Sequence, residues 1–98
     1  MLELQIIDRR SGRNLRTYAL GDSPEILVGR DESCDIHLAA RSVSREHCII
    51  EQSIDNVRIR DLGSTGGTLF RDEPIDEMRV QDGLEVEVGP ALLRFIDS

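Results

Sequence analysis

Lysine and tryptophan are absent from this chain, and aromatic residues make up only 3% of its 98 positions. Without lysine there is no Schiff-base or amine-nucleophile chemistry. Without aromatic surface there is almost nothing on which to stack nucleic-acid bases. A formal net charge of −7 argues in the same direction, because nucleic-acid binding depends on neutralising many phosphates. No apolar run exceeds three residues, as in Ile26-Leu27-Val28, whereas a membrane-spanning helix needs about twenty. The start, Met1-Leu2-Glu3-Leu4-Gln5, has neither the basic beginning nor the apolar stretch of a secretory signal. Two cysteines make no disulfide framework, so the expected setting is reducing and cytoplasmic.

What is present suits one small all-β domain over residues 1–98, with a core of Ile, Leu and Val. Leu2, Leu4 and Ile6 alternate with polar residues, as do Val57 with Ile59 and Leu84 with Val86 and Val88. That period of two predicts half-buried strands. Further strands are expected at 15–20, 26–29, 36–38, 47–52, 68–70, 75–80 and 92–96. Turn signals such as Asp82-Gly83 and Gly89-Pro90 separate them. The spacing predicts a β-sandwich, with helices absent or limited to one short turn around 39–43.

Two stretches are not ordinary hairpin turns. Residues 30–46 and 61–68 carry Arg30, Ser44, Arg45, Ser64, Thr65, Gly66 and Gly67. Guanidinium forks, short hydroxyls and unobstructed glycine amides are the parts of an oxyanion receptor. A phosphorylated Ser or Thr, with about −1.5 to −2 charges and three acceptor oxygens, is the matching ligand.

These residues resemble the forkhead-associated (FHA) domain. Gly29-Arg30, then Ser44-Arg45-Glu46-His47, then Asp61-Leu62-Gly63-Ser64-Thr65-Gly66-Gly67-Thr68 follow its motifs in order and spacing. The likeness extends upstream through 26–28 and 34–38 and downstream through 82–89. It implies an SMAD/FHA-like sandwich of about eleven mostly antiparallel strands that grips a phosphothreonine peptide with loops at one end. By that likeness Arg30 and Ser44 contact the phosphate, Arg45 adds a donor, and Thr65 bonds a phosphate oxygen. Gly66 and Gly67 belong to the peptide-contacting loop. Gly29, His47 and Ser64 support the site, with Gly29 letting the chain turn into the first loop. The implied partner is a phosphothreonine-containing protein or peptide, such as a kinase substrate. The chain itself is expected as a monomer or weak dimer, with no membrane and no nucleic acid involved.

Two departures from the family are visible. Gly66 stands where Asn is common, and Arg71-Asp72 where an Asn-Gly turn is common. Gly66 cannot offer a side-chain amide to a bound peptide, so the alternative function is a phospho-independent interaction scaffold of the same fold. Residues 29–47 hold three arginines and four acids, so no broad basic field is expected there, and the acids disfavour acidic partners.

Metal and enzyme readings are weaker. Cys34, His37, His47 and Cys48 are plausible zinc ligands, but neighbours on a strand point to opposite faces, so His47 and Cys48 cannot share an ion. Ser44, His47 and Asp61 are the residue types of a catalytic triad, but no Gly-x-Ser-x-Gly elbow accompanies them. No metal, cofactor or catalysis is expected.

Overall fold

The fold is a sandwich of eleven strands in two sheets, without a helix, in a computed structural model that describes residues 1–98. In chain order they are β1 (Leu2–Asp8), β2 (Asn14–Ala19), β3 (Glu25–Gly29), β4 (Ile36–His37), β5 (Cys48–Ser53) and β6 (Asn56–Asp61). They continue as β7 (Thr68–Phe70), β8 (Glu73–Pro74), β9 (Glu77–Arg79), β10 (Glu85–Val88) and β11 (Ala91–Asp97). One sheet has the order β2-β1-β11-β10-β7-β8 and the other β4-β3-β5-β6-β9. Every pairing is antiparallel except β3 with β4, where Val28 faces Ile36 and Gly29 faces His37.

The alternation of the sequence places the core. Leu4, Ile6, Val28, Ile50, Ile59, Val86, Val88, Leu93 and Phe95 all turn inward and are essentially inaccessible. Each such side chain contributes about 1.5–3 kcal/mol relative to leaving it exposed. With so few aromatics, Phe95 is the largest fully buried side chain.

One expectation about the chain path is corrected. The strand expected over 75–80 is confined to the shorter β9, which pairs with β6, and the two-residue β8 just before it, at 73–74, belongs to the other sheet and pairs with β7. Ile75 and Asp76 carry the chain across, each tied by its backbone to the sheet it leaves or joins. The Ile75 amide donates to the Thr68 carbonyl, and the Asp76 carbonyl accepts the Asp61 amide. β8 is the edge strand of its sheet, a position that tolerates Pro74 without its N–H. Around 39–43 the chain makes the single short turn expected there, with no helix, closed by the Val43 amide on the Ala40 carbonyl at 3.0 Å.

The loops that matter gather where β3, β6 and β10 end. They are the β3–β4 loop, the long β4–β5 loop, the β6–β7 loop and the Gly89-Pro90 turn between β10 and β11.

Candidate functional site

The β3–β4 and β4–β5 loops are zipped together along their backbones. The Arg30 amide donates to the Ser44 carbonyl at 3.0 Å and the Asp31 amide to the Arg45 carbonyl at 3.1 Å. The Cys34 thiol donates to the same Arg45 carbonyl at 3.2 Å. Gly29 makes this closeness possible: a Cβ there would lie 2.1 Å from the Arg45 carbonyl oxygen. Its backbone is not in the left-handed region, so the glycine is required for space rather than for a turn, which corrects the role expected for it.

His47 ties the β4–β5 loop to the β6–β7 loop. Its side chain is fully buried. The Ser44 amide donates to Nδ1 at 3.0 Å, and Nε2 stands 2.9 Å from the Gly67 carbonyl oxygen. Because Nδ1 accepts, Nε2 carries the proton and donates, which identifies the neutral Nε2–H tautomer. A second tie crosses nearby, where the Thr65 amide donates to the Ser44 hydroxyl oxygen at 3.0 Å.

Asp61 organises the β6–β7 loop from its base. Its carboxylate accepts the Gly63 and Ser64 amides, each at 3.0 Å, and the Ser64 and Thr68 hydroxyls at 2.6 and 2.8 Å. Burial works to raise its pKa, but the hydrogen bonds from Ser64 and Thr68 outweigh it, so Asp61 titrates below the ordinary carboxylate range.

The result is an open depression of about 840 Å³. Arg30, Ser44, Arg45, Thr65 and Gly66 all line it, so five residues expected at the site meet in one place. Arg30 Nε is anchored to the Val43 carbonyl at 2.9 Å, which orients the guanidinium while leaving its outer nitrogens without a protein partner. The Arg45 guanidinium and the Thr65 hydroxyl have no hydrogen bond of their own. The Ser44 hydroxyl accepts from Thr65 and retains its proton to donate. Such an arrangement offers several donors to one tetrahedral anion.

The remaining expected residues stand behind the depression. Ser64 is engaged by Asp61. Gly67, at φ 81°, does not line the depression and turns its carbonyl toward His47. His47 and Gly29 are buried. Two carboxylates, Asp31 and Glu46, share the rim. Asp31 is held ionised by the amide and hydroxyl of Ser33.

Sequence reasoning missed three contributors. Arg41 lines the depression, although it lies outside every motif and enters the sequence reading only as a charge. Gly89 reads as a simple turn residue, yet a Cβ there would lie 2.8 Å from Ser42 Oγ and from Val43 Cγ2, so it seats the β4–β5 loop. Cys34, weighed in the sequence only as a metal ligand, donates its thiol hydrogen to the Arg45 carbonyl and so supports it.

Of the four cysteine and histidine residues weighed as metal ligands, Cys48 packs in the core and His47 has both ring nitrogens engaged. No three His, Cys, Asp or Glu side chains gather into a metal-binding group. No helix is long and apolar enough to cross a membrane.

Comparison with known proteins agrees with this geometry. The family model for the FHA domain matches residues 26–89. Glycogen accumulation regulator GarA of Mycolicibacterium smegmatis is 32% identical over 87 residues, covering 89% of this chain and 55% of GarA. The oxoglutarate dehydrogenase inhibitor of Corynebacterium diphtheriae is 32% identical over 89 residues, covering 91% of this chain and 62% of the inhibitor. The chain therefore spans little more than half the length of the curated relatives it matches. A solved FHA domain described for its phosphothreonine-dependent interactions superposes with a TM-score of 0.83 at 29% identity, covering 99% of this chain and 96% of that one.

Proposed function

The chain belongs to the FHA domain family, and from that premise we propose that it docks phosphothreonine-containing protein segments in signalling or assembly, without catalysis. The observation that carries the proposal is the convergence of Arg30, Ser44, Arg45 and Thr65 on one depression, each keeping at least one side-chain donor without a protein partner. Arg30 and Ser44 contact the phosphate, Arg45 supplies a further charged donor, and Thr65 bonds a phosphate oxygen. Gly66 lies along the path of the peptide backbone. Gly29, His47, Ser64 and Gly67 hold the loops in position.

Residues 1–98 act as one domain on this reading, because both sheets share a single core. Two free, buried cysteines suit a cytoplasmic setting. The large exposed apolar side chains are Met1, Leu15 and Ile54, scattered along the chain, which suits a monomer or weak dimer.

The test is fluorescence anisotropy with a degenerate phosphothreonine peptide library and its unphosphorylated counterpart. Wild type binds only the phosphorylated set, and Arg30→Ala weakens binding by about tenfold or more, as the loss of a charge-assisted contact requires. Equal binding by Arg30→Ala and wild type overturns the assignment. One observation favours a second reading: Gly66 has no side chain to engage a peptide backbone. If phosphorylated and unphosphorylated partners bind equally, the domain is a phospho-independent scaffold.

A further inference from the structure

Four of the twelve arginines, Arg9, Arg10, Arg13 and Arg16, fall within residues 9–16, and no carboxylate lies among them. The structure places all four, exposed, on the tip of the β1–β2 hairpin and the start of β2. The neighbouring Asp8 is occupied within the turn, where it accepts the Ser11 amide and hydroxyl. Arg9 pairs with Glu87 and donates to the Gly89 carbonyl. Arg16 donates to the His37 carbonyl at 2.7 Å and stands 5.6 Å from the centre of the Tyr18 ring. Arg10 and Arg13 have neither an ion pair nor a side-chain hydrogen bond. On a chain of net charge −7, that tip is a local inversion of the field.

The tip lies at the same end of the sandwich as the depression. The Arg9 amide donates to the Pro90 carbonyl at 3.0 Å. The adjoining Gly89 packs against Ser42 and Val43, which line the depression. One continuous path of contact therefore runs from the hairpin through the Gly89-Pro90 turn to the phosphate pocket. Arg41, also unpartnered, sits in the β4–β5 loop on the pocket side of this path. A charge count over residues 29–47 misses the hairpin entirely, because it comes from a remote part of the sequence.

We propose that Arg10 and Arg13 form a second subsite that takes a short run of carboxylates on the same phosphorylated segment. The inference rests on the phosphopeptide reading and extends it to the composition of the partner. A short acidic run fits better than a long polyanion or an anionic membrane, because the rest of the acidic surface repels anything larger than the tip. Exposed guanidinium–carboxylate pairs give a modest gain that weakens as salt rises.

The test uses peptides that share one phosphothreonine and differ in their flanks: neutral, with a glutamate run before it, or with a glutamate run after it. Binding is measured at low ionic strength to wild type and to the Arg10→Gln/Arg13→Gln double variant, whose substitutions lie on an exposed turn away from the core. One of the two glutamate runs tightens binding to wild type by about fivefold. The double variant loses that gain and still binds the neutral phosphopeptide as wild type does. The proposal is overturned if neither run tightens binding, if the gain survives in the double variant, or if the variant loses the neutral peptide equally. It is also overturned if the variant instead loses binding to phosphatidylserine vesicles or a single-stranded oligonucleotide, with no gain from glutamate in wild type. A neutral phosphopeptide that binds wild type no better than its unphosphorylated twin marks failure of the phosphopeptide reading itself, and the subsite falls with it.

Discussion

The Arg45 carbonyl oxygen rests so close to Gly29 that a Cβ on the glycine would lie 2.1 Å from it, and 2.9 Å from Cys34 Sγ. The first neighbour is backbone, and the second is the end of a short, buried side chain. The carbonyl is also held by the Asp31 amide and the Cys34 thiol. The backbone that carries two proposed phosphate contacts, Ser44 and Arg45, is thus seated on a residue with no side chain.

Gly29→Ala forces that backbone outward. The expected loss is about 1–3 kcal/mol or more of stability, as for an overpacked core position. Phosphopeptide affinity falls with it, because Ser44 and Arg45 move. Urea titration and anisotropy measure the two effects, and wild-type values in both would show that the loop yields without cost.

Gly66→Asn is expected to tighten phosphopeptide binding by about two- to tenfold, through one or two added hydrogen bonds to the bound main chain. The new Cβ starts 3.2 Å from the Ser42 carbonyl oxygen, and Ser42 is exposed in a loop that can shift by the few tenths of an ångström required. Unchanged or weaker affinity in a calorimetric titration would remove this account of the glycine.

Acid should loosen the β6–β7 loop through Asp61. Burial opposes ionisation of its carboxyl, but the Ser64 and Thr68 hydrogen bonds prevail and hold the folded-state pKa below the unfolded value. A depressed carboxyl contributes stability that is present above the unfolded pKa, near 3.9, and is lost as pH falls through the folded value. Stability measured by denaturant should therefore decline below about pH 4. Asp61→Asn should be less stable at pH 7 and show a shallower decline. Asp8, Asp31 and Glu51 are depressed as well, so the variant keeps part of the slope. An acid profile parallel to wild type would contradict the role given to Asp61.

Neither thiol should react in the folded protein. Burial pushes the Cys48 pKa up to about 12 and raises that of Cys34 in the same direction. The thiolate is the reactive form, so a disulfide reagent at pH 8 should label both cysteines only at the rate of unfolding. Fast labelling of Cys34 without denaturant would show that the β3–β4 loop opens on its own.

The sandwich was legible wherever one face of a strand is buried, because alternation then registers directly in the letters. Leu4 with Ile6 and Val86 with Val88 are such cases. At 73–80 it was legible only in part: the stretch 75–80 contains β9, but the two-residue β8, which belongs to the other sheet, is too short to show a period. The pocket residues were legible through three motifs in register. Arg41 was not, since an isolated loop arginine has no local pattern to mark it. Gly29 was identified for the wrong reason: glycine signals either a turn or a close approach, and only coordinates separate the two. The hairpin that carries Arg10 and Arg13 meets the Gly89-Pro90 turn through the Arg9 amide, a relationship between distant parts of the chain that no local spacing encodes.

The double tether from His47, to the Ser44 amide on one side and the Gly67 carbonyl on the other, has a thermodynamic consequence. Two loops that would otherwise wander independently are immobilised before any ligand arrives. Association then forfeits little configurational freedom on the receptor side, and most of the ordering penalty falls on the incoming peptide. A stiff receptor meeting a pliable guest discriminates through the guest, so partners already extended in solution are favoured over those that must first unwind.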